Sequence, residues 1–194
     1  MSSVFERFVK STPIRGKDVF IAKGAIVYGA VTLMDHSSIW FNAVLRADIN
    51  QIIIGKYSNV QDNATFHTGA SNSSILGDYV TVGHNAIVHG CKVCDGCMIG
   101  MGSILLDDAI IPEGCLVGAG ALVTPKLKAP PHSLIVGSPA KVIRELSQEE
   151  VDNLKKWAIE YSEVAQYHIK NKIGLGDLLI SSQSNPQSEL NEKK

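Results

Sequence analysis

Three of the chain's six histidines, His67, His84 and His89, fall in the stretch TFHTGASNSSILGDYVTVGHNAIVHG, at spacings of 17 and then 5. Imidazole is a common metal ligand and a general base near neutral pH. Three imidazoles on one ion would each bring a nitrogen within roughly 2.0–2.1 Å of a zinc. The residue types alone leave open whether these are ligands of one metal or unrelated side chains. Where the backbone puts each of them is decisive.

Composition narrows the chemistry. A chain of 194 residues suits one domain with a sizeable core, and its formal net charge of −1, with Lys and Arg scattered, offers no surface for nucleic acid or anionic lipid. A small neutral or anionic substrate is expected. The opening segment MSSVFERFVKSTPIRG carries Glu6 and Arg7 inside its short apolar run and reads as neither a secretory signal nor a membrane span, and nothing later is long enough to be one. The expectation is a cytoplasmic protein. Glycine is frequent at 17 residues and aromatics make only 6%, while Val, Ile and Leu recur throughout, a pattern of many short strands joined by tight turns.

An aliphatic residue recurs every six positions, in four phased runs: Ile21, Val27, Leu33, Ile39 and Leu45; Ile54, Val60 and Phe66; Leu76, Val82 and Val88; and Val93, Ile99, Leu105, Ile111, Val117 and Val123. Four residues after most of these marks stands a small residue, such as Ala43, Ser58, Ala64, Ala86, Cys97 or Ser103, as a tight corner would require. The pattern resembles the hexapeptide repeat of left-handed parallel β-helices. There, three six-residue faces make one triangular coil, and stacking coils buries the marked aliphatics. The fold class expected is therefore all-β: an N-terminal segment over 1–19, a left-handed β-helix over 20–140, a closing segment with a C-terminal α-helix over 141–172, and a polar, disordered tail over 173–194. Three breaks of phase, Leu45 to Ile54, Phe66 to Leu76 and Val88 to Val93, predict two small outward loops and one tightened corner.

The prolines in TPKLKAPPHSLIVGSPAKVIREL end the repeat, and GSPAKVIR resembles the segment that closes such helices. Ser147 and Glu150 read as a capping box. The following helix has an apolar stripe of Val151, Leu154, Trp157, Ala158, Tyr161, Val164, Ala165 and His168, made to pack on its own β-helix or on a neighbour.

In this register His67 and His89 each follow a mark of the same face in consecutive coils. Their side chains share a column about 4.8 Å apart, close enough for one ion. His84 comes two residues after Val82, on another face. If it is a third ligand, a neighbouring chain must supply it, and three subunits around a threefold axis would close such a contact. A homotrimer with shared metal sites is expected.

The surrounding segments, RADINQIIIGKYSNVQDNATFH and GHNAIVHG, resemble the γ-class carbonic anhydrase family, in its short-loop form. The resemblance implies that His67, His84 and His89 bind Zn²⁺, or Fe²⁺ or Co²⁺, and that a metal-bound hydroxide hydrates CO₂ to bicarbonate. It also implies that Gln61 orients the reacting water or bicarbonate, that Asn59 and Asp62 support it, and that Tyr161 stands near. Arg46, one coil below His67, is expected to form a subunit salt bridge with an Asp such as Asp48, the alternative being direct binding of bicarbonate. Asp62, one coil below His84, suits either a buttress for that imidazole or a corner carboxylate that takes backbone amides. Two glutamates of the best-known member are absent: Ile49 follows Asp48, and the loop TGASNSSIL carries no acid to shuttle protons. The alternatives are a hexapeptide-repeat acyltransferase or acyl-CoA thioesterase, and a non-catalytic metal-binding trimer. CKVCDGC, with Cys91, Cys94 and Cys97, lacks a second CxxC and reads as corner residues rather than a zinc knuckle. His36, His132 and His168 fall in no shared column with the three.

Overall fold

The computed structural model describes residues 3–176. The chain rises as stacked coils whose three faces form parallel ladders. One face stacks Phe20–Ile21, Ser38–Ile39, Asn59–Val60, Thr81–Val82, Met98–Ile99 and Leu116–Val117, with Ser133–Gly137 on top. The histidine-bearing face aligns Leu45 with Phe66, Phe66 with Val88, Val88 with Leu105 and Leu105 with Val123. The third aligns Leu33, Ile54, Leu76, Val93 and Ile111. Every aliphatic marked by the six-residue period is buried, so the period reports the inner wall of the coil.

Coil corners need a left-handed residue where the strand direction turns. Asn42, Asn63 and Asn85 supply it at φ between 58° and 59°, a region in which asparagine is tolerated. At another corner His36, Tyr57 and Tyr79 take the same conformation and stack, with ring centroids 4.8 and 5.1 Å apart.

The phase breaks behave differently from one another. After Phe66 the insertion leaves as a loop over 68–73, and after Val88 the corner tightens at Gly90, φ +55°. The insertion after Leu45 is not the outward loop expected from the sequence. Val44–Ile54 is one continuous strand, because its neighbour Ile26–Leu33 runs through the same corner and offers partners on both sides of the extra residues. The register steps from Gly29 opposite Ala47 to Val31 opposite Ile52, which leaves residues 48–51 as a bulge.

Ser133–Gly137 turns back as an antiparallel hairpin with Ala140–Glu145, which closes the stack. Helix α1 spans Ser3–Val9 and helix α2 spans Gln148–Asn171, the latter opened by the Ser147/Glu150 capping box. Helix α2 lies on its own β-helix: Ala165 packs with Phe20, Ala22 and Trp40, and Tyr161 joins this cluster. Its stripe is narrower than the sequence suggests. Leu154, Ala158 and Ala165 are buried, whereas Trp157 and Val164 are each 48% exposed, and Ser162 is buried, its hydroxyl donating to the His36 carbonyl. Residues 173–176, placed by the sequence at the start of the tail, pair back onto the first coil through Leu175 and Ala22; 177–194 lie outside the described residues. No helix among the described residues is long and apolar enough to cross a membrane.

All four cysteines are free. Cys91, Cys97 and Cys115 are buried, and burial pushes the Cys91 thiol up to about 12. These three are core side chains at the coil corners.

Candidate metal centre

His67 and His89 are register partners on adjacent parallel strands. Nδ1 of His67 lies 3.0 Å from Nε2 of His89, so the two rings bring a nitrogen each to one point. Two nitrogens of a tetrahedral zinc site, each 2.0–2.1 Å from the ion, stand about 3.3–3.4 Å apart. The observed pair is within a few tenths of an ångström of that spacing, and neutral imidazoles are suitable donors, so these residues fit a shared cation.

The remaining ring nitrogens are engaged by carboxylates. Asp48 Oδ1 is 3.1 Å from His67 Nε2, and Asp107 Oδ1 meets His89 Nδ1. Asp62 Oδ2 is 2.8 Å from His84 Nδ1. Each of the three histidines therefore has one nitrogen fixed by a carboxylate and the other left for a ligand, an arrangement that sets tautomer and ring orientation in metal sites. Arg46 Nη1 donates to the second oxygen of Asp48 at 2.6 Å, within the same chain. Partial burial works to raise the Asp48 carboxyl, but the hydrogen bonds from Arg46 and His67 outweigh it and hold it below the ordinary carboxylate range.

Backbone details place this pair. The hydroxyl of the buried Ser74 donates to the His67 carbonyl and accepts from Gly90 N–H, tying both histidine strands together across the loop. Gly90 leaves room for the Asp107 carboxylate, since a Cβ there would stand 2.5 Å from Oδ1.

His84 stands on the face that α2 partly covers. Among the described residues of one chain, no three His, Cys, Asp or Glu side chains converge on a common ion position. Beside His84 opens a cavity of about 660 Å³, lined by Gln61, Met98, Met101, Trp157 and Tyr161 among others. Gln61 is buried and donates through Nε2 to Asn59 Oδ1 at 3.4 Å, while Asn59 Nδ2 donates to Thr81 Oγ1 at 2.9 Å. Burial, with a contribution from the nearby Asp62 charge, pushes the Tyr161 hydroxyl up.

The structure thus gathers Arg46, Asp48, His67 and His89 on one face, and Asn59, Gln61, Asp62, His84 and Tyr161 around another. Sequence reasoning missed Asp107. Its signal was available: Leu105 aligns with Val88, which puts Asp107 one coil above the residue that follows His89.

A left-handed parallel β-helix of hexapeptide repeats, carrying a stacked histidine pair on one face and a carboxylate-held histidine on another, defines the class. Among solved structures the chain is similar to the product of the BC4754 gene of Bacillus cereus, with TM-score 0.80 and 44% identity, covering 82% of this chain and 92% of that one. It is also similar to a hexapeptide transferase family protein from Anaplasma phagocytophilum, with TM-score 0.77, 36% identity and coverage of 80% and 92%. No family model matches the chain. Curated relatives do: a "Probable carbonic anhydrase" of Methanocaldococcus jannaschii is 46% identical over 150 residues, 77% of this chain and 94% of that protein. The carbonic anhydrase of Geobacillus kaustophilus is 43% identical over 157 residues, covering 81% and 86%. The mitochondrial γ carbonic anhydrase 2 of Arabidopsis thaliana is 39% identical over 174 residues, 87% of this chain and 61% of the plant protein. The chain belongs to the γ-class carbonic anhydrase-like family and is a lyase of that type.

Proposed function

We propose that this protein is a metal-dependent carbonic anhydrase, interconverting CO₂ and bicarbonate at sites shared between the subunits of a homotrimer. The observation that carries the reading is the division of three carboxylate-held histidines between two faces of one chain, the His67/His89 pair on one and His84 on the other. The pair would hold Zn²⁺, or Fe²⁺ or Co²⁺, together with His84 of a neighbouring subunit. When bound, the metal supplies the Lewis acidity that brings the pKa of a water to about 7.

The chain's own groups prepare the rest. Asp48 accepts a hydrogen bond from His67 Nε2–H, and Asp107 from His89 Nδ1–H, so the two inner nitrogens would present lone pairs to the same point. Asp62 does the same for His84 through Nδ1, leaving Nε2 for the neighbour's pair. Gln61 donates one amide N–H to Asn59 Oδ1, which leaves its carbonyl oxygen to accept a hydrogen bond from water or from the hydroxyl of bicarbonate. Tyr161 stays neutral and closes one wall of the cavity.

The histidine face itself supports the trimer. Ile26, Ile87 and Ile104, which directly precede inward residues of that face, are 55%, 41% and 36% exposed. This outward column beside the pair, apolar except for Thr65, suits burial against a second copy. The four free cysteines agree with a reducing compartment, the cytoplasm.

One observation favours a second reading, an acyltransferase or acyl-CoA thioesterase: the cavity of about 660 Å³ is far larger than CO₂ requires. Elemental analysis, CO₂ hydration and acyl-CoA turnover measured on one purified sample separate the two. About one metal per chain with CO₂ hydration supports the anhydrase. Acyl-CoA turnover without CO₂ hydration refutes it, and bound metal with neither activity leaves a metal-binding trimer.

A further inference from the structure

The two insertions in the repeat, residues 48–51 in the strand Val44–Ile54 and the loop over 68–73, lie on adjacent coils and are fastened to one another by a single residue, Asn50. Asn50 N–H donates to Thr68 Oγ1 at 3.1 Å, and Thr68 is buried. Its Oδ1 accepts from Gln51 N–H at 2.9 Å and from the Ser73 hydroxyl at 3.1 Å. Its Nδ2 donates to the Ala70 carbonyl at 3.5 Å. The backbone N–H of Asn50 thus holds the first residue of the loop, and its amide side chain reaches the crest and the far end.

Each insertion also borders a site group. Asp48, two residues before Asn50, is the carboxylate on His67 Nε2. The loop begins directly after His67 and ends at Ser74, whose hydroxyl holds the His67 carbonyl. The loop's other side approaches the second carboxylate: a Cβ on Gly69 would lie 3.1 Å from Asp107 Oδ2, and a Cβ on Gly90 would lie 3.2 Å from Asn72 Cβ. A regular hexapeptide coil has neither insertion and could not set an acid three residues after an inward mark beside a histidine of the next coil.

We infer that Asn50 is a positioning residue of the metal centre. By clasping the bulge to the loop it fixes the Asp48 carboxylate on His67 Nε2, and so keeps Nδ1 of His67 turned toward Nε2 of His89. The inference rests on the shared-metal reading above. Its physical basis is that a carboxylate orients a ligating imidazole only as well as its own backbone is held, and the bulge has no ladder partner at residues 48–51 to hold it. Asn50 replaces those missing partners with side-chain hydrogen bonds.

The test uses the full chain, with Asn50→Ala and Asn50→Asp beside wild type. Asp keeps both acceptor contacts to Gln51 and Ser73 and loses only the long contact to Ala70. Two quantities are read: zinc affinity by competition with a chromophoric chelator, and the ¹⁵N shifts of the His67 ring in metal-free protein at about pH 8, above the ordinary imidazole value of about 6.5, assigned by their loss in His67→Ala. Wild type should show His67 protonated on Nε2. Asn50→Ala should give a mixture of tautomers and a roughly 10–100-fold loss of zinc affinity, and Asn50→Asp should restore both toward wild type. A folded Asn50→Ala protein with wild-type ring shifts and wild-type zinc affinity overturns the inference. If Asn50→Ala does not fold, Ser73→Ala takes its place, since it removes one bond to the same oxygen. Unchanged ring shifts in Ser73→Ala are then the overturning result. Absence of zinc binding by wild type would sink the metal reading, while the metal-free ring shifts would still decide the role of Asn50.

Discussion

Gly90 sits between His89 and the buried Cys91 at the tightened corner, with φ +55° and the Asp107 carboxylate 2.5 Å from where a Cβ would stand. Gly90→Ala should therefore do two separable things. The left-handed backbone costs an alanine about 1 kcal/mol, up to 2, which in a chain of this size lowers Tm by a few degrees, roughly 2–4 °C per kcal/mol. The new methyl also cannot coexist with Asp107 where it stands, and the carboxylate must leave His89 Nδ1. Loss of such a partner weakens metal binding about 10–100-fold, or roughly 1.4–2.7 kcal/mol at 1.36 kcal/mol per decade. Gly96→Ala is the matched control: its φ is +65° and nothing lies within 4 Å of a Cβ there. Thermal unfolding of the metal-free proteins should show similar losses for both variants, while chelator competition should show weakened zinc binding only for Gly90→Ala. Equal zinc affinity in the two variants would mean that Asp107 does not hold His89 for a metal.

Mixing His84→Ala chains with His67→Ala chains should restore part of the metal content and activity in mixed trimers, because one intact interface can then be assembled. Failure to recover any, with mixed trimers shown by mass spectrometry, would count against a site divided between chains. Since the loop TGASNSSIL offers no acid to carry protons away, CO₂ hydration should speed up with the concentration of a small buffer such as imidazole; a rate independent of buffer would locate the proton route elsewhere. Glu150 is held down to about 2 by its hydrogen bonds from Arg144 and from the Ser147 backbone. Its depressed folded pKa means that the start of α2 is stabilised fully above about pH 4.5 and loses this as pH falls toward 2. Circular dichroism on acid titration should show an early loss of helix in this range, and Glu150→Gln should remove the pH dependence.

The inner wall of the fold was legible because its constraint is periodic. An inward position of a narrow coil accepts little except an aliphatic, so counting sixes locates Phe66 and Val88, and His67 and His89 follow as neighbours. The same counting separates His84 from the pair. Outward groups carry no such period. Asp107 is an ordinary surface acid by composition, and only the stacking of Leu105 on Val88 brings it to His89. The bulge after Leu45 was misjudged for a related reason: nothing in its own residues shows that the preceding coil also runs straight through the corner. In α2, periodicity marks the apolar side but not the width of the surface it meets, so Trp157 and Val164 stand exposed while Ser162 is covered.

Helix α2 starts just beyond the hairpin on the topmost strand of its face, and the residues after it return to the first coil, where Leu175 pairs with Ala22 and Gly176 N–H donates to the Ile21 carbonyl. A stack in which each coil touches only its neighbours can fray from either end without disturbing the middle. Here Lys155 rests 4.5 Å above the Tyr79 ring and Ala165 packs on Phe20 and Trp40, so one rigid rod is bolted to early and middle coils alike. The first coil cannot peel away without also breaking its contacts with the rod. The chain thereby adds to a one-dimensional pile of turns a set of contacts that ties early coils to middle ones.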